Sequence, residues 1–207
     1  MIATPFPRTP DMSPRTITSA VLPALLPALL LALAACATAP KPRRYLDEKM
    51  DMGSVKTVAV LPLTNLSRDN MASDRVREVF ANMLLATGAV YVVPQGEVNR
   101  VVARVGVASM ATPAIEEVTR LGTALKADAV FTGVLKEYGE IRSGTASGNV
   151  ISLNLQLVET GTGKVVWSAS STRGGVTAKD RLLGGGGEPM NDITEAACND
   201  LLDQLFK

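Results

Sequence analysis

The chain has 207 residues, 46% hydrophobic and 20% charged, with a formal net charge of +1, which suits one globular domain and argues against nucleic acid as a partner. It contains no histidine and two cysteines, Cys36 and Cys198. A Ser–His–Asp or Cys–His catalytic arrangement and a Cys/His zinc site are therefore excluded within the chain.

Residues 1–35 have the pattern of a targeting segment that is removed from the mature chain. Arg8 and Arg15 form a basic start, and an apolar stretch follows from Ala20 to Ala32. That stretch is interrupted by Pro23 and Pro27, and at 13 residues it is shorter than the ~20 a spanning helix needs. Leu33, Ala34 and Ala35 then lead into Cys36, a sequence that resembles the lipobox of bacterial lipoproteins. The resemblance implies acyl chains on Cys36 and a membrane as partner, reached through that lipid. Several chains on one residue exceed the two signals that stable anchoring requires. Ala37, in place of the aspartate that retains such proteins at the inner membrane, implies the outer membrane, facing the periplasm. Translation starts at Met1 or Met12. Cleavage after residue 35 of 207 leaves 172 residues, with 19 basic and 19 acidic side chains. Cys198, left without an intrachain partner, is expected as a small buried apolar residue of a C-terminal helix.

Residues 36–53 are polar and proline-bearing and read as a lipid-anchored tether. Ala37 to Met52 spans at most ~55 Å when extended. The remaining residues, 54–207, read as one α/β periplasmic domain. Val55–Pro62 is a nearly continuous apolar run, as in a strand buried on both faces. A polar loop, Ser67–Ser73, leads to a helix ending near Thr87, with Val76, Phe80, Met83 and Leu84 on one face and Ser73 as N-cap. Ala89–Val93 is a short strand. Pro94–Val105 is a helix stopped by Gly106. Thr112 is expected to cap a third helix with Pro113 at its first position. Ala129–Ile141 is a strand broken at Gly133 or Gly139, and Ser143–Asn149 a flexible turn. Val150–Val158 alternates, with Ile151, Leu153, Leu155 and Leu157 facing one way and Ser152, Asn154 and Gln156 the other. Thr160–Gly163 turns the chain into a last strand carrying Val165, Trp167 and Ala169. A glycine-rich loop, Gly174–Glu188, precedes a helix opened by Pro189, with Ile193, Ala197, Leu201 and Leu205 at intervals of four. The fold class is a mixed β-sheet with helices packed on it.

No catalytic residue, cofactor-binding residue or metal ligand emerges. Gly184–Gly187 lacks the Lys-Ser/Thr of a phosphate loop and is followed by Glu188 and Pro189. Asp47, Glu48 and Asp51 lack the spacing of a calcium loop and read as solvated linker. Arg75, Arg77, Arg100 and Arg104 read as a solvated helix face. Trp167 reads as core. Ser152, Asn154, Gln156, Ser168 and Ser170 form a short-chained polar face, suited to water or to a neighbouring subunit.

Val58-Ala59-Val60-Leu61-Pro62 with Asn65, then Ala127-Asp128-Ala129-Val130-Phe131-Thr132-Gly133, Thr160-Gly161-Thr162-Gly163-Lys164 and Val165-Val166-Trp167-Ser168, resemble periplasmic lipoproteins with a TolB-N-terminal-like or CsgG-like domain. CsgG-type channels, PelC-like rings and LpoB-like activators of a peptidoglycan synthase belong to that group. The late strands are already needed to complete the soluble sheet, which argues against a self-made pore. The short tether argues against long reach toward an inner-membrane synthase. The resemblance thus implies a non-enzymatic assembly or secretion accessory that forms a homo-oligomer or binds an envelope protein. An LpoB-like regulator of an envelope enzyme is the alternative. Cys36→Ala is expected to abolish acyl labelling and to give either soluble protein or uncleaved precursor; unchanged labelling would remove the lipobox assignment.

Overall fold

Val58 and Val60 face one side of a central strand, Ala59 and Leu61 the other, and all four are buried. This divides the protein into layers. The computed structural model describes residues 44–183 and 187–206. Its strands are β1 (Arg44–Leu46), β2 (Thr57–Val60), β3 (Thr64–Asn65), β4 (Tyr91–Val92), β5 (Ala129–Ser143), β6 (Ala146–Glu159) and β7 (Val165–Gly174). Its helices are α1 (Ala72–Ala86), α2 (Gln95–Val105), α3 (Ile115–Leu125), the short α4 (Ala178–Leu183) and α5 (Met190–Phe206), with a 3-10 turn at Met52–Ser54.

Among the described residues the strands form one sheet in the order β1-β7-β6-β5-β2-β4, with β3 also beside β5. Strand β2 runs parallel to β4 and β5, whereas β5, β6, β7 and β1 pair antiparallel. The early helical crossovers produce the parallel pairs and the late hairpins the antiparallel ones. The sheet is mixed and the fold is a single α/β domain, as the order of elements in the sequence implies.

Val58 and Val60 pack with α1 and α5 in the larger core, beside Ile151, Leu153, Leu155 and Leu157 of β6. Phe131 stands edge-on to Phe80 at 5.2 Å and to Trp167 at 6.2 Å. Such pairs add roughly 0.5–1.5 kcal/mol to area burial. Ala59 and Leu61 pack with Val98, Val101 and Val102 of α2 and Val118, Leu121 and Leu125 of α3 in the second core. The sheet therefore lies between α1 and α5 on one side and α2 and α3 on the other.

Several expectations are corrected. Ser73 lies inside α1 and is buried; the helix opens at Met71, whose N–H bonds the Asp69 carboxylate at 2.9 Å. Thr112 does not cap α3. The helix starts after Ala114, and the Glu117 carboxylate folds back onto the Ala114 N–H at 2.8 Å and the Ala108 N–H at 3.0 Å. A carboxylate at the positive end of the helix outcompetes a hydroxyl five residues earlier. These backbone donors hold the Glu117 carboxyl below its usual range. Their contribution is present above the ordinary carboxylate pKa and is lost as pH falls through the lowered one.

Strand β5 is not broken at glycine. Gly133 is where a Cβ would overlap the Asn154 carbonyl, so the residue permits close strand approach. The irregularity is a bulge at Lys136, where the register with β6 shifts. The supposed flexible turn is mostly strand: Ser143 pairs with Ala146, and Gly144, at φ +65°, turns the chain. Strand β3 and helix α4 were not evident in the sequence, being two and six residues long. Residues 184–186 of the glycine run lie outside the described residues.

Arg77 is buried rather than solvated, at 2% exposure. Its Nε and Nη2 donate to the Val60 carbonyl at 2.9 and 2.6 Å, and Nη1 donates to Asn99 Oδ1 on α2 at 2.9 Å. Burial pushes its pKa down from the usual guanidinium range, and Asp74 partly offsets this. One side chain of α1 thus closes the end of β2 and reaches α2. Arg77→Met is expected to cost about 2–3 kcal/mol in urea unfolding, because the Val60 carbonyl loses charged donors; a change below about 0.5 kcal/mol would show the bonds to be dispensable.

Candidate interaction surface

Leu33, Ala34 and Ala35, expected to form a lipobox, and Cys36, the expected lipidation position, lie outside the described residues. The domain itself begins earlier than expected. Residues assigned to the tether up to position 53 are partly built into the sheet: Arg44, Tyr45 and Leu46 pair with Ala169, Ser168 and Trp167. The Asp47 N–H bonds the Val166 carbonyl at 2.9 Å. Arg44 Nη1 donates to the Gln204 carbonyl at 2.9 Å, and Trp167 Nε1 donates to the same oxygen at 3.2 Å. The edge of β7 supplies ladder partners that the local polarity of residues 44–53 does not announce. From Cys36 to Arg44 the chain spans at most about 29 Å.

The acidic residues beyond β1 make turns. Asp47 Oδ1 accepts from the Lys49 N–H at 3.0 Å, and Asp51 Oδ1 accepts from the Gly53 N–H at 2.9 Å. Among the described residues, no group of three or more acidic, histidine or cysteine side chains is placed to hold a metal, and no helix is long and apolar enough to cross a membrane. A cavity of about 320 Å³ beside the 3-10 turn is lined by Val58, Leu84, Phe131, Leu157 and Leu205, with Lys56 as its charged group.

The polar motif residues are structural. Asp128 Oδ2 accepts from the Lys56 and Thr57 N–H groups, both at 2.8 Å, and aligns the start of β2 with β5. Thr160 Oγ1 donates toward the Ala127 and Asp128 carbonyls at 2.7 and 2.9 Å. Asn65 binds the Asp69 carbonyl and accepts from Ser67, shaping the loop into α1.

What remains is surface. The polar sheet face is where the alternation of β6 and β7 places it. Ser152 and Thr172 hydroxyls meet at 3.0 Å, and Asn154 Nδ2 donates to the Ala169 carbonyl at 3.2 Å. Trp167 is fully buried in the core behind it. Arg75 bonds Asp69 at 2.9 Å across the head of α1. Arg100 and Arg104 are exposed on α2. The arrangement suits binding to another macromolecule through broad faces.

The sequence matches the GNA1162-like lipoprotein family over residues 49–204. The fold is similar to that of a point variant of PelC from Paraburkholderia phytofirmans, solved as a dodecamer, at 18% identity and a TM-score of 0.55, covering 80% of this chain and 96% of that one. It is also similar to lipoprotein GNA1162 from Neisseria meningitidis, at 19% identity and a TM-score of 0.51, covering 72% and 97%. No curated protein matches the sequence significantly. At these identities the structural likeness is one of fold. The TolB-N-terminal-like or CsgG-like naming stays a resemblance of motifs.

Cys198 is fully buried, as its place among small residues implies. Burial, then the charge of Glu195, pushes its thiol up to about 12. At pH 8 the folded protein is expected to react with an aromatic disulfide reagent at least about a thousandfold more slowly than the urea-unfolded chain, since the thiolate is the nucleophile; comparable rates would show the thiol to be accessible.

Proposed function

The chain belongs to the GNA1162-like lipoprotein family, and from that membership we propose that it is held at the outer membrane by acyl chains on Cys36, faces the periplasm, and self-associates as a non-enzymatic assembly or secretion accessory. The observation that carries the self-association is the likeness to a chain that forms a dodecamer, 96% of which this fold covers.

Two physical arguments support the reading. The reach of about 29 Å keeps the domain beside the membrane. Confinement to that layer raises the effective concentration of one copy near another, so weak contacts suffice. The described surface also offers broad faces, the polar motif residues are engaged in backbone bonds, and the buried thiol is held protonated. Binding is the activity that such faces support.

Light scattering after size-exclusion chromatography tests this on the acylated protein in mild detergent. The protein is expected at a multiple of its protomer mass. A monomer at every concentration would overturn self-association. A monomer that also stimulates a solubilised peptidoglycan synthase would put the LpoB-like reading in its place.

A further inference from the structure

The two helical layers carry opposite charge. Helix α5 bears Asp192, Glu195, Asp200 and Asp203 and no cation; of these Asp200 is paired with Arg173 of β7 at 2.9 Å. Beside it α1 exposes Asp74 and Glu78, while its arginines are engaged: Arg75 with Asp69, and Arg77 in the interior. Across the sheet, α2 exposes Arg100 and Arg104 with Ala103 between them, and α3 exposes Arg120 and ends at exposed Lys126. Glu97 and Glu116 are the exposed acids there; Glu117 is buried as a cap and keeps its charge, beside Arg120. None of these four cations forms a salt bridge among the described residues.

Resting on the self-association reading, we propose that copies join head to tail, the α1/α5 face of one against the α2/α3 face of the next. Charge decides the pairing. Two α5 faces brought together would oppose carboxylates, and two α2/α3 faces would oppose guanidinium groups; like-charge juxtaposition costs several kcal/mol. The alternating arrangement alone removes both repulsions. It joins two different patches on opposite sides of the protomer, the geometry that closes into a ring when the rotation per subunit permits. Shape agrees with charge. A shallow groove of about 550 Å³ runs between α1 and α5, with Met83 and Leu202 at its base and Asn199 at its rim. Glu195 stands one helical turn from Asn199. An arginine from the next copy lays its stem on the apolar base and its head against these acceptors.

Charge exchange tests the contact in the acylated full chain, with light scattering for mass and circular dichroism for fold. E78K/E195K and R100E/R104E, each made alone, are expected to lose the oligomer and run as folded monomers. The chain carrying all four exchanges, and the equimolar mixture of the two double variants, are expected to recover the native mass. An oligomer that persists in either double variant, or no recovery in both the fourfold variant and the mixture, would overturn this contact while leaving self-association in place. An unmutated chain that is monomeric would overturn self-association itself.

Discussion

A strand buried on both faces leaves its backbone no access to water, so every carbonyl and amide along it must find a partner in the protein. Strand β2 meets this demand through β4 and β5 along its length. At its end Val60 turns to Arg77, which comes down from α1. Asp128 serves the opposite end by accepting two amides before the strand begins. The two cores depend on this strand, because its alternate residues supply both. An arginine at that position lowers the cost of ending a buried strand and ties α1 to α2 through Asn99.

The same arrangement fixes what the outside can be. Helices α1 and α5 must turn their apolar stripes to one side of the sheet, and α2 and α3 theirs to the other. Their polar faces therefore look in opposite directions. Acids outnumber bases on the exposed faces of one pair and bases outnumber acids on the other, so the two sides differ in charge. Near-zero net charge conceals this separation. Electrostatic complementarity of this kind selects partner and register more than it supplies affinity.

The start of the domain bears on the same point. With β1 locked to β7 and Arg44 bonded to the end of α5, seven residues of sequence separate Cys36 from the first strand. Under the proposed anchoring, the domain could not range far from the membrane. A short reach favours partners in the same layer, including other copies.

Strongly periodic segments were legible from the residues: β2 with its two buried faces, the alternation of β6, and the stripes of α1, α2 and α5. Each is a local pattern whose period the backbone geometry sets. Weak or long-range features were not. Strand β1 exists because β7 offers an edge 121 or more residues away, and nothing in residues 44–46 records that. At the head of α1 Asp69 accepts from the Met71 N–H, and at that of α3 Glu117 accepts from the Ala114 N–H, since competition among nearby acceptors is settled by chain path. Cys198 was predictable as core, but Arg77 was not, because a charged residue at a buried helical position is told from an exposed one only by what lies opposite it. The sequence by itself determined the mixed α/β class and the apolar faces, both matters of composition and period. The tertiary structure alone decided which charges share a surface, because that depends on which side of the sheet each helix crosses.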